Sequence, residues 1–114
     1  MRLVAMVLFS LFCAQVFATD FKCDNRVTAT YSPGPNWSQL KDVSPLHIQF
    51  IGDRVDAGDI LEAGPFIGHQ GMTGGFMVYS SDDAKVVEEI VKQDPFVKQG
   101  VATYELRTWM KCTK

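Results

Sequence analysis

Cys23 and Cys112 stand near opposite ends of the chain, and that pair most constrains what the rest can fold into. Neither belongs to a CxxC or to a metal-ligand spacing. Two lone cysteines in an exported chain most often pair. A bridge between them closes nearly the whole domain into one loop, so the fold must bring the two chain ends side by side. On the loop-entropy account such a closure contributes roughly 4–5 kcal/mol at most. Two free thiols are the alternative, which an oxidising compartment disfavours.

Export is read from the start of the chain. Met1-Arg2 is a short positive opening, and "LVAMVLFSLF" at 3–12 is an apolar run too short to span a bilayer comfortably. Val16-Phe17-Ala18 offers small residues where a signal peptidase reads. Residues 1–18 therefore read as a cleaved secretory signal and 19–114 as one domain, periplasmic or secreted, with no membrane association after cleavage. An uncleaved anchor is the alternative. Bulky Phe12 before Cys13 argues against a lipoprotein. Removing 18 of the 114 residues leaves 96, enough for one modest core. That domain carries 10 basic and 13 acidic residues, net −3, with its cations scattered, so nothing points to a nucleic-acid partner. Asn36-Trp37-Ser38 has the form of a glycosylation acceptor.

Periodicity and punctuation give the element order. "NRVTATY" at 25–31 alternates as a strand with one apolar face, and "SPGPNW" at 32–37 is a proline-held loop. A helix is expected from Ser44 as N-cap and Pro45 as first residue to Gly58, with Ile48, Ile51 and Val55 as its apolar stripe. A short strand over 59–66 ends at Gly64-Pro65, "IGHQGMTGG" is a glycine-rich connection, and "FMVYS" at 76–80 is a buried strand. A second helix is capped by Ser80 with Asp83 in a capping box, and it stops before Pro95. Residues 101–110 form the last strand. The order β-α-β-β-α-β with right-handed crossovers predicts a ferredoxin-like α+β fold with strand order 4-1-3-2. Its first and last strands are antiparallel neighbours, which sets Cys23 beside Cys112.

The same topology gathers unusual residues at the end away from the cysteines: Tyr31, Trp37, His47, Phe66, His69 and Asp94. Asp56 falls at the opposite end. A carboxylate holding an imidazole fixes its tautomer and suits it to move protons, and a helix N-terminus near His47 favours the neutral ring. The plainer reading has Asp94 as a turn acceptor and His47 as a surface histidine. His69 joins a site only if its loop folds over a cleft. Thr28, Thr30, Thr103, Glu105 and Arg107 are expected on a polar sheet face, where Arg107 either binds an anion or pairs with Glu105.

At these residues the chain resembles the YciI-like (YCII-related) family. The resemblance is carried by "YSPGPNW" at 31–37, His47 ahead of Gly58, "EAGPF" at 62–66, Gly74-Gly75, and "DPFVKQGVATYELRTW" at 94–109. It implies a dimeric α/β-barrel type of ferredoxin-like fold, in which homodimers pack their sheet faces. It also implies an active-site cleft with a histidine, His47, and an aspartate. The aspartate is assigned to Asp94 from the topology, with Asp56 the runner-up. Some relatives are lyase-like enzymes such as dehydrochlorinases of ring compounds. The expectation is an exported acid–base enzyme for a small molecule, with Tyr31, Trp37, Phe66, His69 and Arg107 as ligand contacts and neither metal nor organic cofactor. The alternatives are a non-catalytic binding module and a structural dimer.

Overall fold

The computed structural model describes residues 20–114; the signal read into 1–18 lies outside them. Strand β1 (Lys22–Pro33) leads through a 3-10 turn (Trp37–Gln39) into helix α1 (Leu40–Asp56). Strands β2 (Ile60–Gly68) and β3 (Gly71–Tyr79) form a hairpin. Helix α2 (Ala84–Val91), the one-turn helix α3 (Pro95–Lys98) and strand β4 (Ala102–Thr113) complete the chain. The four strands form one antiparallel sheet in the order β2-β3-β1-β4, which is the expected ferredoxin-like arrangement.

β1 and β4 pair along their whole length, and Cys23 lies directly opposite Cys112. The two are joined by a disulfide. The core lies between one sheet face and the helices. Val27, Ala29 and Tyr31 of β1, Met77 and Tyr79 of β3, Val87 and Val91 of α2, and Phe96 of α3 are all buried there. Among the described residues no helix is long and apolar enough to cross a membrane.

Four local expectations need correction. Helix α1 begins at Leu40, not beyond Ser44, because the 3-10 turn runs straight into it: the Leu40 amide bonds to the Trp37 carbonyl. Pro45 therefore sits inside the helix, on its exposed side. The C-terminal stop holds, since Gly58 takes the left-handed conformation (φ 82°) that glycine adopts without strain. Strand β2 does not end at Gly64-Pro65. It is an edge strand, where a missing proline N–H costs no ladder bond, and it runs on to Gly68. The glycine-rich connection thus shrinks to the turn His69–Gln70. Helix α2 is capped by Asp83 rather than Ser80: the Asp83 carboxylate accepts from the Lys85 amide, and the Ser81 hydroxyl accepts from the Asp83 amide.

The apolar stripe of α1 also differs. Ile48 and Val55 are exposed, and only Val43 is fully buried. The helix touches the hairpin at β2 but leaves a cleft open between them. That opening creates the site.

Candidate active site

Asp94 occupies the corner between α2 and α3. As the residue before a proline it is extended (φ −64°, ψ 126°), so α2 cannot continue. Pro95 opens α3, and Asp94 Oδ1 accepts from the Phe96 amide at 2.9 Å as the N-cap. The carboxylate has more than this one task. It is 0% exposed, and the Tyr31 hydroxyl donates to Oδ2 at 2.7 Å. His47 Nδ1 lies 2.9 Å from each oxygen. Two strand and helix neighbours thus converge on one buried carboxylate.

His47 is two turns into α1, not in its first turn. The field of the helix N-terminus fades within that first turn, so Asp94 is the dominant electrostatic neighbour. The imidazole stacks flat on Phe96, with centroids 3.9 Å apart and planes 7° from parallel. Nδ1 faces the carboxylate as a donor, and in the neutral ring this leaves the Nε2 lone pair for another partner. Burial pushes the Tyr31 phenol above its ordinary range, and the adjacent Asp94 charge pushes it further in the same direction. Tyr31 therefore remains a neutral donor to the carboxylate.

The loop 34–36 fixes the Trp37 side of the site. The Gly34 and Asn36 amides donate to the carbonyls of Val101 and Gly100, each at 2.8 Å. A Cβ on Gly34 would fall 2.5 Å from the Gly100 carbonyl oxygen, so the approach requires glycine. The Asn36 side-chain amide is itself taken up by the Gln99 carbonyl at 2.8 Å.

His47 opens onto a cleft of about 260 Å³ between α1 and the β2–β3 hairpin. Leu40, Ser44, Ile48 and Ile51 of α1 form its roof beside His47. Ala63, Pro65, Gly75 and Met77 form its floor, with Met72 and Gly74 nearby. Tyr31, Trp37 and Phe96 close the sides. The lining is overwhelmingly apolar.

The structure brings together Tyr31, Trp37, His47 and Asp94. It separates the other expected contacts from the cleft. Phe66 packs on Phe76 (centroids 6.1 Å apart) and is largely exposed. His69 is exposed in the hairpin turn. Arg107 lies on the sheet face away from the helices, its Nε 3.1 Å from Glu105, so it cannot reach a ligand in the cleft. Asp56 is exposed as the last residue of α1, far in sequence from the corner. Two residues were missed. Phe96 supplies the face on which His47 lies, and Ser44 lines the cleft rather than capping a helix. The spacing of Ser44 and His47, three apart on one helix, was the available signal.

The YCII-related domain description matches residues 24–110. The chain belongs to that family. Among solved structures, it is similar to 5-chloro-2-hydroxyhydroquinone dehydrochlorinase from Burkholderia phenoliruptrix, determined in complex with 2,5-dihydroxybenzoquinone. That match has a TM-score of 0.61 at 21% identity and covers 73% of this chain and 92% of that one. A protein from Shewanella oneidensis matches with a TM-score of 0.52 at 10% identity over 83% of this chain and 100% of that one. Both likenesses establish the fold of this YCII-related domain. No curated protein matches the sequence.

Proposed function

We propose that this YCII-related domain is an exported acid–base enzyme that moves a proton on a small molecule held between α1 and the β2–β3 hairpin. The observation that carries the reading is the bond from His47 Nδ1 to the buried Asp94 carboxylate at 2.9 Å, with the ring facing an apolar cleft. Nε2 takes a proton from a C–H or O–H of the substrate and returns it to another atom or to a leaving group. Asp94 orients the ring and balances the charge it gains; Tyr31 and the Phe96 amide hold Asp94. The protein of similar fold named above is a dehydrochlorinase, and loss of HCl is a reaction that an acid–base site of this kind could serve. The Cys23–Cys112 disulfide supports an oxidising compartment.

The test is proton exchange in D2O. Small neutral ring ketones and phenols are incubated with the protein, and loss of C–H signals is followed by NMR. Exchange by the wild type that disappears in His47→Ala supports the enzyme. Exchange that survives in His47→Ala refutes it, and binding without exchange by the wild type identifies a binding module. The same reading takes the protein as a homodimer joined through the open sheet face, where Phe66 and Trp109 leave apolar area exposed. Sedimentation should show a dimer that Phe66→Glu dissociates; a wild-type monomer refutes it.

A further inference from the structure

The polarity of the cleft narrows the ligand further, given the proton-transfer reading above. Among the described residues no lysine or arginine lines it. The one full charge close by is the Asp94 carboxylate, buried behind His47. An anionic ligand would enter an apolar space, lose its hydration, find no cation and face that carboxylate.

The polar side-chain groups that α1 presents to the cleft are acceptors, while the Trp37 indole N–H at its side is a donor. His47 Nδ1 is spent as a donor on Asp94, so Nε2 presents a lone pair. The Ser44 hydroxyl donates to the Leu40 carbonyl at 2.6 Å, which leaves its oxygen with lone pairs only. The Tyr31 proton is spent on Asp94. Ser44 and His47 are three residues apart on α1 and line the same cleft, so their side chains are neighbours, about 5–6 Å apart at Cβ. Met72, Met77, Trp37 and the floor around Gly75 surround this pair with apolar surface. The volume is below the roughly 300 Å³ at which drug-sized ligands begin.

We infer that the cleft takes a small, neutral, largely apolar compound bearing an O–H or N–H donor, that Ser44 is the acceptor that orients it, and that carboxylates and phosphates are excluded. Ser44 is a specificity-determining residue here and takes no part in the proton transfer.

The experiment is binding, measured by NMR titration at pH 7 with phenol, toluene and benzoate as matched probes. Phenol should bind more tightly than toluene, and benzoate at least about tenfold more weakly than phenol. Ser44→Ala should weaken phenol by about three- to tenfold, leave toluene unchanged and leave benzoate excluded. Benzoate binding as tightly as phenol overturns the charge argument. A phenol affinity untouched by Ser44→Ala, or a toluene affinity lowered equally, overturns the role of Ser44. Failure of wild-type protein to bind any ring probe overturns the ligand class. These affinities do not depend on turnover. Exchange activity that survives in His47→Ala would therefore sink the proposed reaction while leaving them in place.

Discussion

Replacing Asp94 by asparagine separates the two tasks of this residue. Asparagine keeps the shape and is as good an N-cap as aspartate, so its Oδ1 can still accept from the Phe96 amide. The Nδ2 group then lies where Oδ2 was, against the Tyr31 hydroxyl and His47 Nδ1. It is a donor and faces two donors. The Tyr31 hydroxyl can rotate to accept. His47 Nδ1, equally close to Oδ1, either goes on donating there or accepts from Nδ2 by moving its proton to Nε2. Two hydrogen bonds to a charged acceptor, about 1.5–3 kcal/mol each, become neutral ones of about 0.5–1.5 kcal/mol. The gross loss is about 2–3 kcal/mol. Relief from burying a carboxylate offsets part of it, which leaves a net destabilisation of about 1–2 kcal/mol. That is a minor share of the roughly 5–15 kcal/mol that holds a domain together, so the variant folds. Urea unfolding gives the stability, and long-range 15N–1H NMR correlations give the tautomer. Wild type should carry the proton on Nδ1, and Asp94→Asn should raise the share carrying it on Nε2, with exchange activity lowered about 10²- to 10⁴-fold. An unchanged tautomer together with unchanged stability would reduce Asp94 to a helix cap and refute the reasoning.

Three further outcomes follow from the same geometry. The disulfide spans 89 residues, for which the loop-entropy account gives about 4.6 kcal/mol; a Cys23→Ser/Cys112→Ser protein should lose about 2–5 kcal/mol in urea unfolding, and a loss below about 1 kcal/mol would contradict it. Burial first, and then Asp94, raise both the Tyr31 and Tyr79 phenols. The unfolded chain therefore releases these protons near pH 10 while the folded chain keeps them. This contribution is complete below about pH 10 and falls above it by about 1.4 kcal/mol per pH unit for each tyrosine, so unfolding measured against pH should show a slope about half as steep in Tyr31→Phe. A Cβ at Gly75 meets nothing closer than 3.4 Å, and valine suits a strand; Gly75→Val should keep the thermal midpoint and abolish phenol binding by filling the floor, and retained binding would misplace the cleft.

The topology was legible because every element boundary that mattered carried its own chemistry. Alternation at 25–31, glycine at 58 and proline at 95 set the order of strands and helices. The handedness of the crossovers then brought Cys23 to Cys112 and His47 toward Asp94. What stayed hidden depended on neighbours distant in sequence. Pro65 reads as a stop in isolation, and only its place on an edge strand lets β2 continue. Ser44-Pro45 has the signature of a helix start, yet the 3-10 turn at Trp37 had already nucleated α1. Tyr31 was legible as a member of the cluster but not as the donor that holds Asp94, since that bond joins residues 63 apart in sequence. Alternation put Arg107 on the polar sheet face but left open whether it binds an anion or pairs with Glu105, and the structure has the pair.

The pairing of Cys23 with Cys112 also decides how the domain bears mechanical load. Tension applied to the chain before Cys23 and after Cys112 passes across the sulfur atoms from one cysteine to the other. The sheet beyond its Lys22–Thr113 pair, helices α1 and α2 and the cleft lie off that path. Until the covalent link is cut, pulling cannot extend the chain between the two cysteines, where His47 lies.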